Sequence, residues 1–447
     1  MLTSADSALP PGPPSPRHLW EELLYFRDLK RDVIGTIAQR FATYGDVYYG
    51  RVRGQGVFSA MDPEFLHAVL VSQAPAFRRR TIDLEFLGDG VLTSNGEDWR
   101  AKRRRLQPGF RHESIQGYAT LMGEEVERLL EGQRPGSLLE LHSSMRDVTL
   151  RVVCRALFGQ EFSGDADALG RATRILQEAV LRPKILPSWA PTPANLQHRR
   201  MRARVDRQVY RILDRGEAAP GSLLATLRER LDTRENGAGS REQNRRELRD
   251  EVVTLLLAGH ETTALALTWA FYLLALHPQI AQLVAEEIAR VCAGQPPRAE
   301  HLPGLELTQR VLDETVRLYP PVYVIPRVCT RPVRVGRYAI EAGDELWLWV
   351  YFMQRDARWF RLPERFDPER FLPGAEASRH PRAYLPFGAG LRSCIGRGFA
   401  TLEAVLVLAS VLQRFRLELT DHRPVFARPR ITLAPARPIR VRLHARS

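Results

Sequence analysis

The chain has 447 residues, 44% of them hydrophobic, which excludes a disordered chain and leaves room for either two or three ordinary domains or one unusually large one. Its four cysteines stand at irregular spacings, which excludes a secreted disulfide framework and paired zinc ligands and fits a reducing cytoplasm. Of 65 basic residues only three are lysines and 62 are arginines, giving a net charge of +13; they run along the whole chain rather than forming one tail, which argues against nucleic acid as the partner.

The first 15 residues, with their proline cluster and no apolar run of signal-peptide type, read as a flexible lead-in, and 16–447 as the folded part. A helix is expected over 20–44, short strands over 47–60, and a further helix after Asp62-Pro63. A variable stretch, 76–95, leads to a helix starting near Glu97, and 115–158 has a helical period throughout. Residues 182–198 are apolar and broken by prolines, which suits a loop over a cavity, and 231–247 is the most linker-like segment. The apolar run 252–276 is 25 residues long, enough to cross a bilayer, which needs about 20. His260, Glu261 and two threonines at its centre are costly in lipid, so a buried core helix is the better reading. Helices continue to about Tyr319. Strands follow over 322–352, then a proline-rich coil, a glycine-rich loop around Cys394, a long apolar helix, and a closing strand pair at 431–443. The fold class is mainly α with a minor β portion. No break in the apolar segments divides it, so a single large domain is expected.

Four short stretches carry chemistry. In "WRAKRRR", 99–105, Trp99 and Arg103 are one helical turn apart, so an indole N–H and a guanidinium could face one anion. In "AGHETT", 258–263, an acid and a hydroxyl inside an apolar helix must be used or satisfied, and the small Ala258-Gly259 pair leaves space for a flat group. In "ETVR", Glu314 and Arg317 share a helical face; such a pair is common and says little alone. In "FGAGLRSCIG", 387–396, glycines let something approach the backbone, and a following helix N-terminus favours a thiolate at Cys394. By itself that loop supports a metal thiolate or a structural cysteine.

Taken together these stretches resemble the cytochrome P450 family. The cysteine loop matches the family's haem-binding signature at Phe387, Gly390, Arg392, Cys394 and Gly396, and the other stretches occur in the family's order. The resemblance runs from about Leu9 to the end and implies the cytochrome P450 fold with haem b (iron protoporphyrin IX) as cofactor and Cys394 as iron ligand. It implies that Phe387 and Gly388 lie against the haem, and that Trp99, Arg103, Arg392 and Arg327 (in "VIPR") hold its propionates. It also implies that Ala258 and Gly259 face the haem, that Thr262 handles dioxygen, and that Glu261 is its proton-relay partner. Arg370 in "FDPERF" would join Glu314 and Arg317 in a structural cluster. Where many members have His-Arg-Asp, this chain has Gln354-Arg355-Asp356.

The implied activity is insertion of one oxygen atom from O2 into an apolar substrate of fatty-acid, terpenoid or carotenoid kind. The pocket would be lined by 82–91, 182–198, Leu257, Ala258, 322–325 and the tip at Ala434-Pro435. No flavin or iron–sulfur signature is present, so a ferredoxin or flavodoxin with its reductase would supply electrons. The partner would meet a basic face of Arg100, Lys102, Arg104, Arg105 and Arg397. The expected location is cytoplasmic, without a membrane anchor. A peroxide-driven or non-oxygenating haem-thiolate enzyme, against which Glu261-Thr262 argues, and a non-enzymatic haem sensor are the alternatives.

Overall fold

The structure, a computed structural model, describes residues 9–16, 18–52, 54–80, 87–159, 190–214, 222–232 and 241–446. In chain order the main elements begin with helices α1 (Leu19–Arg31) and α2 (Val33–Tyr44), and strands β1 (Val47–Val52), β2 (Gln55–Ala60) and β3 (Phe77–Arg79). Helix α3 (Gly96–Leu106), α4 (His112–Glu131), β4 (Leu138–Glu140), α5 (Leu141–Phe158), α6 (Pro193–Asp214) and α7 (Leu223–Asp232) follow. Next come α8 (Arg241–Leu276), α9 (Pro278–Cys292), α10 (Glu306–Leu318), and strands β5 (Ile325–Cys329), β6 (Val333–Val335), β7 (Tyr338–Ile340) and β8 (Glu345–Leu348). The chain closes with α11 (Arg397–Arg414), β9 (Phe415–Leu419), β10 (Ala427–Pro429), β11 (Leu433–Pro435) and β12 (Arg440–Ala445). Helix dominates and strand is the minor share, as the residue pattern led us to expect.

The contacts divide into two compact units, each discontinuous in sequence. One holds the described residues up to Arg80 together with Val316–Cys394; the other holds those up to Thr315 and from Ile395 onward.

The first unit is built on a five-stranded sheet in the order β1-β2-β8-β5-β3. β1 and β2 form an antiparallel hairpin with Val47 opposite Ala60, while β2 and β8 run parallel with Phe58 beside Leu346. Phe58, Ala60, Leu346 and Leu348 are fully buried, joined by Leu66, Val69, Ile340 and Met353 in one apolar core. Burying a side chain of this size is worth about 1.5–3 kcal/mol each, so this core fixes the sheet register. Ile37 and Phe41 of α2 form a second core with Tyr48 and Trp349. Part of the lead-in is docked rather than loose. Pro10 is buried, the Tyr49 N–H donates to the Pro11 carbonyl at 3.1 Å, and a side chain at Gly12 would collide with the Tyr49 carbonyl. The first eight residues of the lead-in lie outside the described residues.

The second unit is organised by α8. This helix is long and apolar enough to cross a membrane, yet 83% of its most apolar stretch is buried inside the protein. Trp269 is fully buried and its indole N–H donates to the Leu433 carbonyl at 3.1 Å, and the Tyr272 hydroxyl accepts the Val425 N–H. A polar group satisfied in this way belongs to a protein core rather than to lipid. Helix α5 lies tightly against α8, because Gly259 leaves room for Val153: an added Cβ would sit 3.1 Å from that side chain. Helix α11 is buried over almost its whole surface from Phe399 to Leu412, as a helix apolar on every side must be.

Candidate functional site

In the first unit the cysteine loop is shaped by two glycines with left-handed backbone. Gly388 (φ 68°) and Gly390 (φ 69°) occupy a region that L side chains rarely adopt. They differ in surroundings. A Cβ at Gly390 would lie 2.2 Å from the Leu70 carbonyl oxygen, whereas at Gly388 the nearest atom is 3.8 Å away, on Ile325. Gly390 therefore lets the loop close onto the backbone at Leu70, a role in packing rather than in making room for a ligand. The loop is closed by the Cys394 N–H donating to the Phe387 carbonyl at 2.9 Å and the Ser393 N–H to the Gly390 carbonyl at 3.0 Å. Cys394 is exposed, while Cys154, Cys292 and Cys329 are all buried. Helix α11 starts three residues later, so its N-terminal dipole favours a thiolate at this position.

Gln354, the departure from the family pattern, turns out to support this loop. It is fully buried; its amide donates to the carbonyls of Val316 (3.1 Å) and Arg317 (3.0 Å) and accepts the Leu385 N–H (2.9 Å). Two donors and an acceptor in one planar group tie the end of α10 to the entry of the cysteine loop, which a neutral imidazole, with one donor, could not do. Arg317, also fully buried, donates to the Gln354 carbonyl at 2.8 Å and stacks on Phe360. Arg370 is half-buried and donates to the Leu362 carbonyl.

The same unit concentrates positive charge. Arg79 and Arg327 face each other in the register of β3 and β5. Burial and the charge of Arg392 push the Arg79 guanidinium down to about 10; burial and the charges of Arg79 and Arg392 push Arg327 down to about 9. Three guanidiniums that repel one another out of water are suited to an anion held between them. Arg327 and Arg392 stand in stretches that mark them in the sequence, whereas Arg79 does not; the alternation of "FRR" in a short strand, inner after outer, is its one local signal.

In the second unit, the centre of α8 presents two faces. Ala258 is exposed and Thr262 half-buried on one side of the stretch 251–274, which is otherwise buried except for the half-buried Gly259, and Gly259 faces Val153 of α5 instead. The Thr262 hydroxyl donates back to the Ala258 carbonyl at 2.8 Å. Glu261 turns away from that face into the protein, 3.3 Å from the His142 ring of α5 and 4.0 Å from that of His260. Burial raises its carboxyl, but His142, then His260 and Arg146, outweigh that and hold it below the ordinary glutamate range. Glu261 and Thr262 are therefore neighbours in sequence whose side chains have separate surroundings. His142 was not foreseen; nothing in its local sequence signals the pairing.

On α3, Trp99 is buried and the Arg103 guanidinium lies over its ring at 5.8 Å, so the two side chains meet on one face of the helix. The expected basic docking face is partly cancelled. Lys102 is 4% exposed and bound to Asp89 (2.9 Å) and Asp98 (2.5 Å), and Arg105 is held by Glu247. Arg100 pairs with Glu97; Arg104 and Arg397 are exposed. Glu403 on α11 was also missed, although a lone acid inside an apolar helix marks itself. It is fully buried, and burial pushes its carboxyl well above the usual range against the smaller pull of the Thr263 hydroxyl. Of the expected pocket lining, 82–86 and 182–189 lie outside the described residues; Leu257 and Ala434 are buried, and Val322 is exposed.

Residues 10–442 match the family model described as Cytochrome P450. The chain is 32% identical over 384 residues to cyclooctat-9-en-7-ol 5-monooxygenase of Streptomyces melanosporofaciens, covering 84% of this chain and 83% of that one. It is 30% identical over 421 residues to pentalenene oxygenase of Streptomyces avermitilis, covering 91% and 92%. Among solved structures it resembles the haem domain of a mutant of cytochrome P450DA, with a TM-score of 0.84, 25% identity and 98% of both chains covered. The chain belongs to the cytochrome P450 family, the haem b-dependent monooxygenases.

Proposed function

We propose that the chain oxygenates a terpenoid-like apolar substrate, with Cys394 as the thiolate ligand of haem b. The observation that carries this reading is the exposed thiol of Cys394, held in a closed glycine loop at the start of α11. The residues fit the cofactor: an exposed thiolate position suits its iron, and the mutually repelling Arg79, Arg327 and Arg392 suit its carboxylates. When bound, the haem supplies the activation of dioxygen.

In this reading Arg327 and Arg392, with Trp99 and Arg103, would hold the propionates, and Phe387, Gly388 and Ala258 would lie against the haem, whereas Gly259, expected there as well, is taken up by the packing of Val153. The Thr262 hydroxyl, which donates to the Ala258 carbonyl at 2.8 Å, would be the proton-donating group this helix offers beside the cofactor. Glu261 keeps a proton acceptor on the same turn, and His142, 24% exposed, connects it to solvent. Residues 16–447 act as one haem module. A ferredoxin or flavodoxin with its reductase delivers electrons, and the protein works in the cytoplasm. The terpenoid assignment rests on the two Streptomyces relatives and on the scarcity of charge in the expected lining.

The test is spectroscopic. Reduced protein exposed to CO should show the thiolate-ligated Soret band, which C394S should lose while still folding. A panel of diterpene and sesquiterpene hydrocarbons should shift the spin state of the ferric protein. If fatty acids shift it and terpenes do not, the substrate assignment is wrong; a C394S protein that keeps the thiolate band refutes the ligand.

A further inference from the structure

Helix α6 carries a row of charge that the reaction does not use. Arg200, Arg204, Arg207 and Arg211 follow one another at intervals of four, three and four residues, so at about 100° per residue they fall in one sector roughly 60° wide. All four are exposed, and among the described residues none lies within ion-pair distance of a carboxylate. Arg207 and Arg211 reach only an Ala203 carbonyl and the Gln208 amide. The acids of this helix are engaged elsewhere: Asp206 binds Arg249 of α8 and Asp214 binds Arg245. On the opposite side Val205, Val209 and Leu213 are buried and fix which way the row points. Like charges one turn apart destabilise a helix. In this arginine-rich chain the comparable run on α3 is largely neutralised by Glu97, Asp89, Asp98 and Glu247, whereas the row on α6 is not.

We propose that this face of α6 docks onto the surface of an anionic phospholipid bilayer. The row is straight and about 17 Å long, a shape that matches a flat array of phosphates. Leu196, 39% exposed, lies about 20° beyond the edge of that sector at the N-terminal end, where it can enter the acyl boundary; basic residues with an apolar tip are the pattern of an interfacial helix. An acidic protein partner would call for aromatic anchors at the centre of the face. The nearest aromatic, Tyr210, is half-buried and covered by the Arg245 guanidinium at 4.3 Å. Contact of this kind is peripheral and reversible, and does not require a spanning helix. It does not depend on the substrate or the haem assignment.

The test is flotation of the whole haem-loaded protein with vesicles of phosphatidylcholine alone or mixed with phosphatidylglycerol, at low and physiological salt. We expect binding to the mixed vesicles only, falling as salt rises. Each arginine replaced by glutamine should weaken it about fivefold, and R200Q/R204Q/R207Q/R211Q should remove it. A control of equal charge, R290Q/R416Q/R428Q/R440Q, removes four exposed arginines elsewhere and should bind as the parent does. An unchanged Soret band in both variants verifies folding. Absence of binding to mixed vesicles, or equal loss in the control, overturns the proposal. So does a quadruple variant that keeps vesicle binding but loses binding to soluble polyglutamate, which would assign the row to an acidic protein.

Discussion

Replacing Glu251 by glutamine should abolish a pH-dependent loosening of residues 87–93. This segment, part of the expected pocket lining, is clasped to the first half of α8. Asp250 accepts the Asp89 N–H at 2.8 Å, Glu251 accepts the Val91 N–H at 3.0 Å, and the Arg249 guanidinium reaches the Leu87 carbonyl. Gly88 and Gly90 allow the approach, since side chains there would overlap Asp250 and Thr254. Glu251 is 3% exposed, and only one of its oxygens has a hydrogen-bond partner. Burial pushes its carboxyl up to about 7, against the Val91 N–H and the positive charges of Lys102 and Arg105, with Glu247 adding to the rise. The fold thus prefers the protonated form. The contribution is complete below about 4.5 and is lost as pH rises through about 7, because the buried carboxylate gains by escaping to water. At 1.36 kcal/mol per tenfold, a rise from 4.5 to about 7 corresponds to about 3 kcal/mol, or a roughly 300-fold change in the opening constant. Hydrogen exchange of the Val91 and Asp89 amides, corrected for intrinsic rate, reads this directly. Opening should rise about tenfold per pH unit between 5 and 7 and then level off, and in E251Q it should be flat. A parent protein and an E251Q variant with the same pH dependence would refute the reasoning.

Three further outcomes follow from the geometry. R327Q removes one of three clustered cations, so the haem-free protein should gain about 1–3 kcal/mol in urea unfolding while the loaded protein releases haem to apomyoglobin faster; loss of stability in both forms would contradict the anion-site reading. Asparagine at His142 removes the group that does most to hold Glu261 low, so the Glu261 carboxyl should titrate at higher pH by carbon-13 NMR, and the acid-side stability it contributes should disappear at a correspondingly higher pH. G390A should cost clearly more than G388A in chemical denaturation: both carry the left-handed penalty of about 1–2 kcal/mol, and only Gly390 abuts a carbonyl oxygen at 2.2 Å.

Much of this protein is determined locally and was therefore visible in the chain. The period of 252–276, the turn glycines around Cys394 and the one-turn spacing of Trp99 and Arg103 depend on neighbours within a few residues, and helical and strand periods express them directly. The charges in the middle of α8 also told in advance that the helix is buried in protein. What the sequence left open concerns partners far apart along the chain. His142 meets Glu261 across more than a hundred residues, Glu251 meets Val91, and Arg79 meets Arg327, each because two elements pack side by side. Lys102 shows the same limit from the other side: its spacing placed it on a basic face, and only the tertiary structure set Asp89 and Asp98 around it and took it out of water. Spacing fixes which residues share a face. Packing decides whether that face meets solvent, a carboxylate or another cation, and the free energy of a charge depends chiefly on that.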